Sequence, residues 1–290
     1  MILFFQQILN GILIVSVYSL MALGLTMIYG ILHIPNFAHG NKYMLGAFIS
    51  LTLVAVFKVN YWLAILISIV VLGLIGVAVE RYIYRPLHDQ PHINSFIAAI
   101  GLLLLLEGIS FAIWGGEWQR FPFAYKQTLN LFGITITLHR LLVILVTAVL
   151  IVLLQLFIKK TTWGWTIEAL AQDREGAQLV GINIYWVSSM AFAIGTALAA
   201  AASSLIAPIY LVYPAMGSLP LIKAFVVIIL GGMGSLPGAV IGGYLLGLIE
   251  ALAGGYLSMV YADLFAFAVL VIALAIKPTG LFGKSAEGKT

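Results

Sequence analysis

Residues 224–249 read Ala224-Phe-Val-Val-Ile-Ile-Leu230-Gly231-Gly232-Met233-Gly234-Ser235-Leu236-Pro237-Gly238-Ala239-Val-Ile-Gly242-Gly243-Tyr-Leu-Leu-Gly247-Leu-Ile249, without one Asp, Glu, Lys or Arg. A helix needs roughly 20 predominantly apolar residues to cross a bilayer, so the stretch is long enough. Its centre, however, holds four glycines and a proline between Gly231 and Gly238. Glycine lowers helix propensity and proline removes a backbone donor, so a straight helix through this point is not expected. The stretch reads as a membrane segment broken in its middle.

The rest of the chain agrees. Of 290 residues, 63% are apolar and only 8% charged, and the mean hydropathy is +1.13. Soluble domains carry about 25% charged residues, so a water-soluble fold is excluded. Lys42 is the first charge in the chain, and residues 59–79, 141–158 and 176–222 are also free of all four charged types. The first apolar stretch has no basic start and no small-residue cleavage site, and reads as a retained helix rather than a signal peptide. Without cysteine there is no disulfide, thiol nucleophile or thiolate metal site. The pI of 9.2 does not call for a nucleic-acid partner, because the basic residues are scattered among membrane segments.

The expected architecture is all-α: a single permease-like domain over 1–290, a polytopic bundle of about eight spans near 6–30, 40–57, 61–80, 94–114, 139–158, 187–211, 222–249 and 257–276. Leu-, Ile-, Val- and Ala-rich runs without alternation exclude a membrane β-barrel. Lys and Arg in 81–93, in 159–186 and in the tail, together with Lys42, place those connections in the cytoplasm and the N-terminus outside. A straight span at 222–249 would put the basic tail on the wrong side. A re-entrant pair of half-helices broken at 231–238 restores it.

A second interruption runs from Gly30 through Pro35-Asn36-Phe37-Ala38-His39-Gly40. Paired broken segments, one in each half, point to the transport site of many carriers. Asn36, Phe37, His39, Gly231, Gly232, Met233, Gly234 and Ser235 are therefore the candidate pathway residues. Between them, 161–186 is the longest cytoplasmic stretch of soluble character. Ile167, Leu170, Ala171 and Ala177 share a helical face, Glu168, Asp173 and Glu175 lie elsewhere, Arg174 intrudes on the apolar side, and Gly181 suits a C-terminal cap. An acidic, mixed amphipathic helix fits the groove of a soluble partner better than a membrane surface.

Other patterns carry little. Gly283 to Thr290 matches a phosphate loop by formula, but the chain given stops where the helix should open. Glu107 is the deepest acid in any span, whereas Glu80 and Glu250 fall near span ends, within reach of water, and Asp263 interrupts the last span. His33 and His39 lack a third ligand nearby, so no metal site is expected. No H-E-x-x-H or G-x-S-x-G occurs. Small residues at Gly195/Ala199 and Ala239/Gly243/Gly247 read as helix packing.

The segment Tyr29-Gly30 to His39-Gly40 with Met44-Leu-Gly46-Ala47, Tyr84-Arg85-Pro86-Leu87, Ala99-Ile-Gly101, Ala171-Gln-Asp173 to Gly181-Ile-Asn183, Lys223 to Gly243, and Lys277-Pro-Thr-Gly-Leu-Phe-Gly283 resembles, in order, the branched-chain amino acid permeases of ABC importers, the LivH type of the hydrophobic amino acid uptake family. The resemblance implies a multi-pass protein of the bacterial inner membrane. It implies a partnership with a second permease as a heterodimer, two cytoplasmic ATPases and a periplasmic substrate-binding protein. The ATPases would use the ATP and Mg, and this chain, surrounded by membrane lipid, would bind no cofactor and catalyse nothing. Residues 164–183 would be the coupling helix, with Glu168, Ala169, Asp173, Arg174 and Gly181 facing an ATPase. The family's Glu-Ala-Ala followed by glycine is matched only in part, by Glu168-Ala169-Leu170 with Gly176. Related permeases carry hydrophobic or other neutral amino acids, short amides or urea. An ion-coupled carrier using Glu107 and a passive channel are the competing classes.

Overall fold

A computed structural model describes residues 2–32, 35–122, 125, 127–131 and 134–283. His33 and the phosphate-loop look-alike at the C-terminus lie outside the described residues. The chain forms α1 (Ile2–Leu32), α2 (His39–Ala55), α3 (Tyr61–Val79), α4 (His92–Trp114), α5 (Leu138–Lys160), α6 (Thr162–Gln172), α7 (Arg174–Leu179), α8 (Ile184–Ile206), α9 (Ser218–Gly231), α10 (Leu236–Tyr256) and α11 (Met259–Ile276). Six of these, α1, α3 with its extension to Leu87, α4, α5, α8 and α10, are long and apolar enough to cross a membrane. The eight expected segments all appear. The one at 222–249 is two helices, α9 and α10, so nine helices build the bundle among the described residues.

Both expected breaks are real, and they differ in depth. At Gly232 and Gly234 the backbone takes φ of +101° and +83°, which glycine adopts without strain. There α9 turns back into α10, and the two backbones touch at Gly231 and Gly238. The turn lies at one end of the bundle: Leu281 and Phe282 donate backbone hydrogen bonds to the carbonyls of Leu230 and Gly231 (both 2.9 Å). The same end carries α6 and α7, so the tail sits where the basic residues placed it. α10, with 21 residues, crosses the bundle rather than re-entering it.

The break before α2 lies deeper. α2 has 17 residues and α9 has 14, so at 1.5 Å per residue neither is a comfortable span. They begin beside each other: a Cβ on Gly217, just before α9, would strike the carbonyl of Gly40 at the start of α2. From this junction α2 runs toward the end that holds Thr52 and Trp114, whose indole N–H donates to the Thr52 hydroxyl at 2.8 Å. α9 runs the other way, to the turn at Gly232. Two short helices thus meet at their N-termini inside the bundle.

Bilayer lipid is as apolar as leucine, so close packing of small residues must hold such helices together. Gly24 of α1 meets Gly195 of α8, and Gly46 of α2 meets Ala200 and Ser203. Gly243 and Gly247 of α10 receive Ser19 and Val15 of α1, the packing role their spacing suggested. At the far end, a β-hairpin missing from the sequence reading joins α4 to α5: β1 (Thr128–Leu131) pairs antiparallel with β2 (Ile134–Thr137), Thr128 opposite Thr137. The alternation Thr128-Leu-Asn-Leu and Ile134-Thr-Ile-Thr was the signal.

Candidate translocation and coupling sites

Around the α2–α9 junction the pathway candidates fall into two groups. Asn36 and His39 are buried, and Phe37 stands between Phe96 of α4 and Phe225 of α9, with ring centroids 5.6 and 5.3 Å away. Asn36 accepts a hydrogen bond from the Tyr84 hydroxyl at 3.2 Å. Its Nδ2 is buried without a hydrogen bond, and the His39 ring is buried beside the Met21 backbone of α1. The second group, Gly231 to Ser235, is some distance away at the coupling end. There Met233, Gly234 and Ser235 line a cavity of about 390 Å³ with Gly30, Lys159, Glu168 and Gln172. Ser235 also caps α10, its Oγ accepting from the Gly238 N–H at 3.1 Å.

The 161–186 segment is two helices. Asp173 breaks it, with φ −152° and ψ 107°, and its carboxylate accepts from the Gly176 N–H at 3.1 Å to start α7. The restart of the helical period explains why Arg174 fell on the apolar side of a single wheel. Gly164, Ile167 and Leu170 bury the inner face of α6, and Ala177 that of α7. Gly181 has φ +84°, with Gly181 N–H bonded to Gln178 O and Ile182 N–H to Ala177 O (both 3.0 Å). That pair of bonds is a Schellman cap, as the glycine's position suggested. Glu168 and Asp173 are exposed and Ala169 and Arg174 half-buried. Beyond them Leu179 and Val180 stand 88% and 75% exposed.

Arg174 ties this loop to the rest of the bundle. Its guanidinium lies 3.6 Å from the Asp89 carboxylate and 3.4 Å from the His88 carbonyl. Just before them α3 ends in a π-turn, Glu80–Tyr84. Glu80 is fully buried, not bathed in water as expected. It is held by Arg85 (2.8 Å), by the Ser189 hydroxyl of α8 and, at 3.8 Å, by His88. Glu80 and Tyr84, at the two ends of the π-turn, are both buried, and Tyr84 reaches Asn36. Arg174 thus ties α7 to the connection after α3, and the π-turn at the start of that connection holds Tyr84 against Asn36 in the break before α2.

Other charges were also misplaced by sequence. Lys42 belongs to no cytoplasmic connection, because it is wholly buried in the first turn of α2. Lys223 lies within α9 and not in an outer loop, and pairs with the buried Glu250 of α10. These two residues are 27 positions apart, so no local pattern could pair them. Lys42 was findable: it is the only charge in the first 57 residues and directly follows the break. Glu107, by contrast, is half-buried on α4 and makes no hydrogen bond or ion pair among the described residues. No group of three His, Asp or Glu suited to a metal occurs among the described residues.

The family model described as branched-chain amino acid transport system / permease component matches residues 7–274. The LivH permease protein of Escherichia coli (strain K12) is 35% identical, over 97% of this chain and 96% of its own length. The BraD permease protein of Pseudomonas aeruginosa is 36% identical with the same coverage, and a probable LivH protein of Methanocaldococcus jannaschii 30% identical over 96% and 92%. Among solved structures, PsaBC from Streptococcus pneumoniae in complex with Fab matches at TM-score 0.52 and 12% identity, covering 93% of this chain and 91% of that one. At that identity the likeness concerns the fold alone. With one family model spanning nearly the whole length and relatives aligned end to end, the chain belongs to the permease components of branched-chain amino acid transport systems.

Proposed function

We propose that this chain, a single permease domain, is one of two permeases in an ATP-driven importer of branched-chain or other neutral amino acids in a bacterial inner membrane. A binding protein on the outer side delivers the substrate, and two ATPases on the inner side bind and hydrolyse ATP with Mg. The chain itself holds no cofactor. The observation that carries the coupling role is the α6–α7 pair, which buries one face on the bundle and presents Glu168, Asp173, Leu179 and Val180 outward. An exposed Leu-Val pair beside acidic residues suits the groove of a soluble protein.

Two routes from this loop lead inward. Glu168 borders the cavity at the α9–α10 turn. Arg174 grips Asp89 and the His88 carbonyl in the connection that begins with the π-turn, from which Tyr84 reaches Asn36. A shift of α6 and α7 by the ATPase therefore bears on both breaks, and the pathway is expected to open where α2 and α9 meet. Transport in this scheme needs no side-chain chemistry, only a route whose two ends do not open together.

Because the chain has no cysteine, a single Val180→Cys variant offers one thiol for cross-linking. Cross-linking to the ATPase subunit in the assembled complex is expected. Capture by the binding protein instead would place this loop on the wrong side. An ion-coupled carrier is disfavoured by Glu107, which has no relay of partners on α4.

A further inference from the structure

The first turn of α2, which adjoins α9 at Gly40, contains a lysine that packing does not explain. Lys42 has no exposed surface, and its Nζ has no hydrogen-bonding partner. It sits over the Phe192 ring at 5.3 Å. The buried acids of the bundle are engaged elsewhere, Glu80 by Arg85 and Glu250 by Lys223. An uncompensated ammonium in a membrane interior is among the most unfavourable of side-chain placements, and such groups mark function.

The surroundings make the same point independently. Asn36 Nδ2, in the turn leading into α2, is also buried without a hydrogen bond. α2 and α9 direct their N-termini at this junction, and neither N-cap residue, Ala38 or Gly217, supplies a side-chain cap. Each N-terminus carries unsatisfied N–H groups and the positive end of a helix dipole. Lys42 in the first turn of α2, the Asn36 amide just before it and the adjoining N-terminus of α9 thus lie close in the fold, with no carboxylate in contact with Lys42 among the described residues. In transporters built from discontinuous helices, half-helix N-termini at mid-bundle face the anionic group of the substrate.

We propose that the α2–α9 junction is a carboxylate-binding site, where Lys42, Asn36 and the first-turn amides of α2 receive the α-carboxylate of the amino acid in transit. The proposal rests on the amino-acid reading above. The backbone contact of Gly40 with Gly217 closes the site, and the absence of side chains there lets the two helices part without withdrawing bulk. Phe37 in the turn before α2 and Phe225 of α9, in ring contact, offer an apolar wall for the substrate's side chain.

The test uses the complex reconstituted with its ATPases and binding protein, and compares wild type with Lys42→Met. Removing one charge-assisted contact is worth about 10- to 100-fold in affinity, so L-leucine uptake should fall by that factor. Methionine replaces the ammonium with an apolar group of similar length, so the variant should melt no lower than wild type, which separates the loss from misfolding. On the purified complex, L-leucine should raise the melting temperature of wild type but not of Lys42→Met, and L-leucinamide, without a carboxylate, should raise neither. Equal uptake by the two proteins would overturn the site. So would a shift produced as strongly by potassium chloride, which would mark a general anion site, or by leucinamide. Wild type that takes up no L-leucine with ATP and binding protein would instead refute the amino-acid reading itself.

Discussion

Replacing Gly217 by alanine puts a methyl group where the backbones of two helices already touch. The Cβ would lie 2.5 Å from the Gly40 carbonyl carbon and 3.2 Å from its Cα, with the carbonyl oxygen closer still. Gly217 has φ −82° and ψ −15°, ordinary for alanine, so no backbone strain enters. Helix propensity gives little compensation, because glycine is the better residue at an N-cap. The neighbour is main chain, which cannot rotate away, so α2 and α9 must separate by roughly 1.5 Å to restore van der Waals contact. Overpacking of that kind costs about 1–3 kcal/mol. Gly101 on α4 is the control: nothing lies within 4 Å of its Cβ, and alanine there should gain up to about 1 kcal/mol of helix propensity. Unfolding of the two purified variants in detergent should differ by roughly 1–4 kcal/mol. If Gly217→Ala proves as stable as Gly101→Ala, the helices do not meet at this junction.

Glu250→Gln removes the charge paired with buried Lys223 and should destabilise by about 3–5 kcal/mol, whereas Lys223→Met with Glu250→Leu should fall near wild type; a double-mutant cycle in thermal unfolding reads the difference. Asp173→Ala removes the cap of α7 and should cost about 1 kcal/mol locally, seen as faster hydrogen exchange at 176–179 and weaker ATPase retention on purification. Glu107→Gln should leave uptake unchanged across pH in proteoliposomes; a lost dependence on a proton gradient would favour an ion-coupled carrier.

The sequence showed the bundle well and its interior charges poorly. Long apolar runs with few or no charges placed the membrane helices, because lipid disfavours charge along the segment. Gly231 to Gly238 and Gly30 to Gly40 announced the breaks, because glycine and proline act on the backbone locally. Parity through the first break put the tail at the coupling end, where Phe282 bonds Gly231. Depth was not legible. Only packing reveals that one break is an end-of-bundle turn while the other meets Gly217 inside. The positive-inside reading assumed that every lysine sits in a loop. Lys42 and Lys223 do not, and their partners or lack of them are set by helices far apart in sequence. Within the coupling segment, Asp173 is a helix stop that the even polarity of 164–183 concealed.

The most direct measurement is uptake of radiolabelled L-leucine into proteoliposomes holding this chain with its companion permease and ATPases. ATP is sealed inside with the ATPases, and the binding protein is added outside. Accumulation should require both and should persist when ion gradients are collapsed. Accumulation that continues without ATP, or without the binding protein, would contradict an ATP-driven permease.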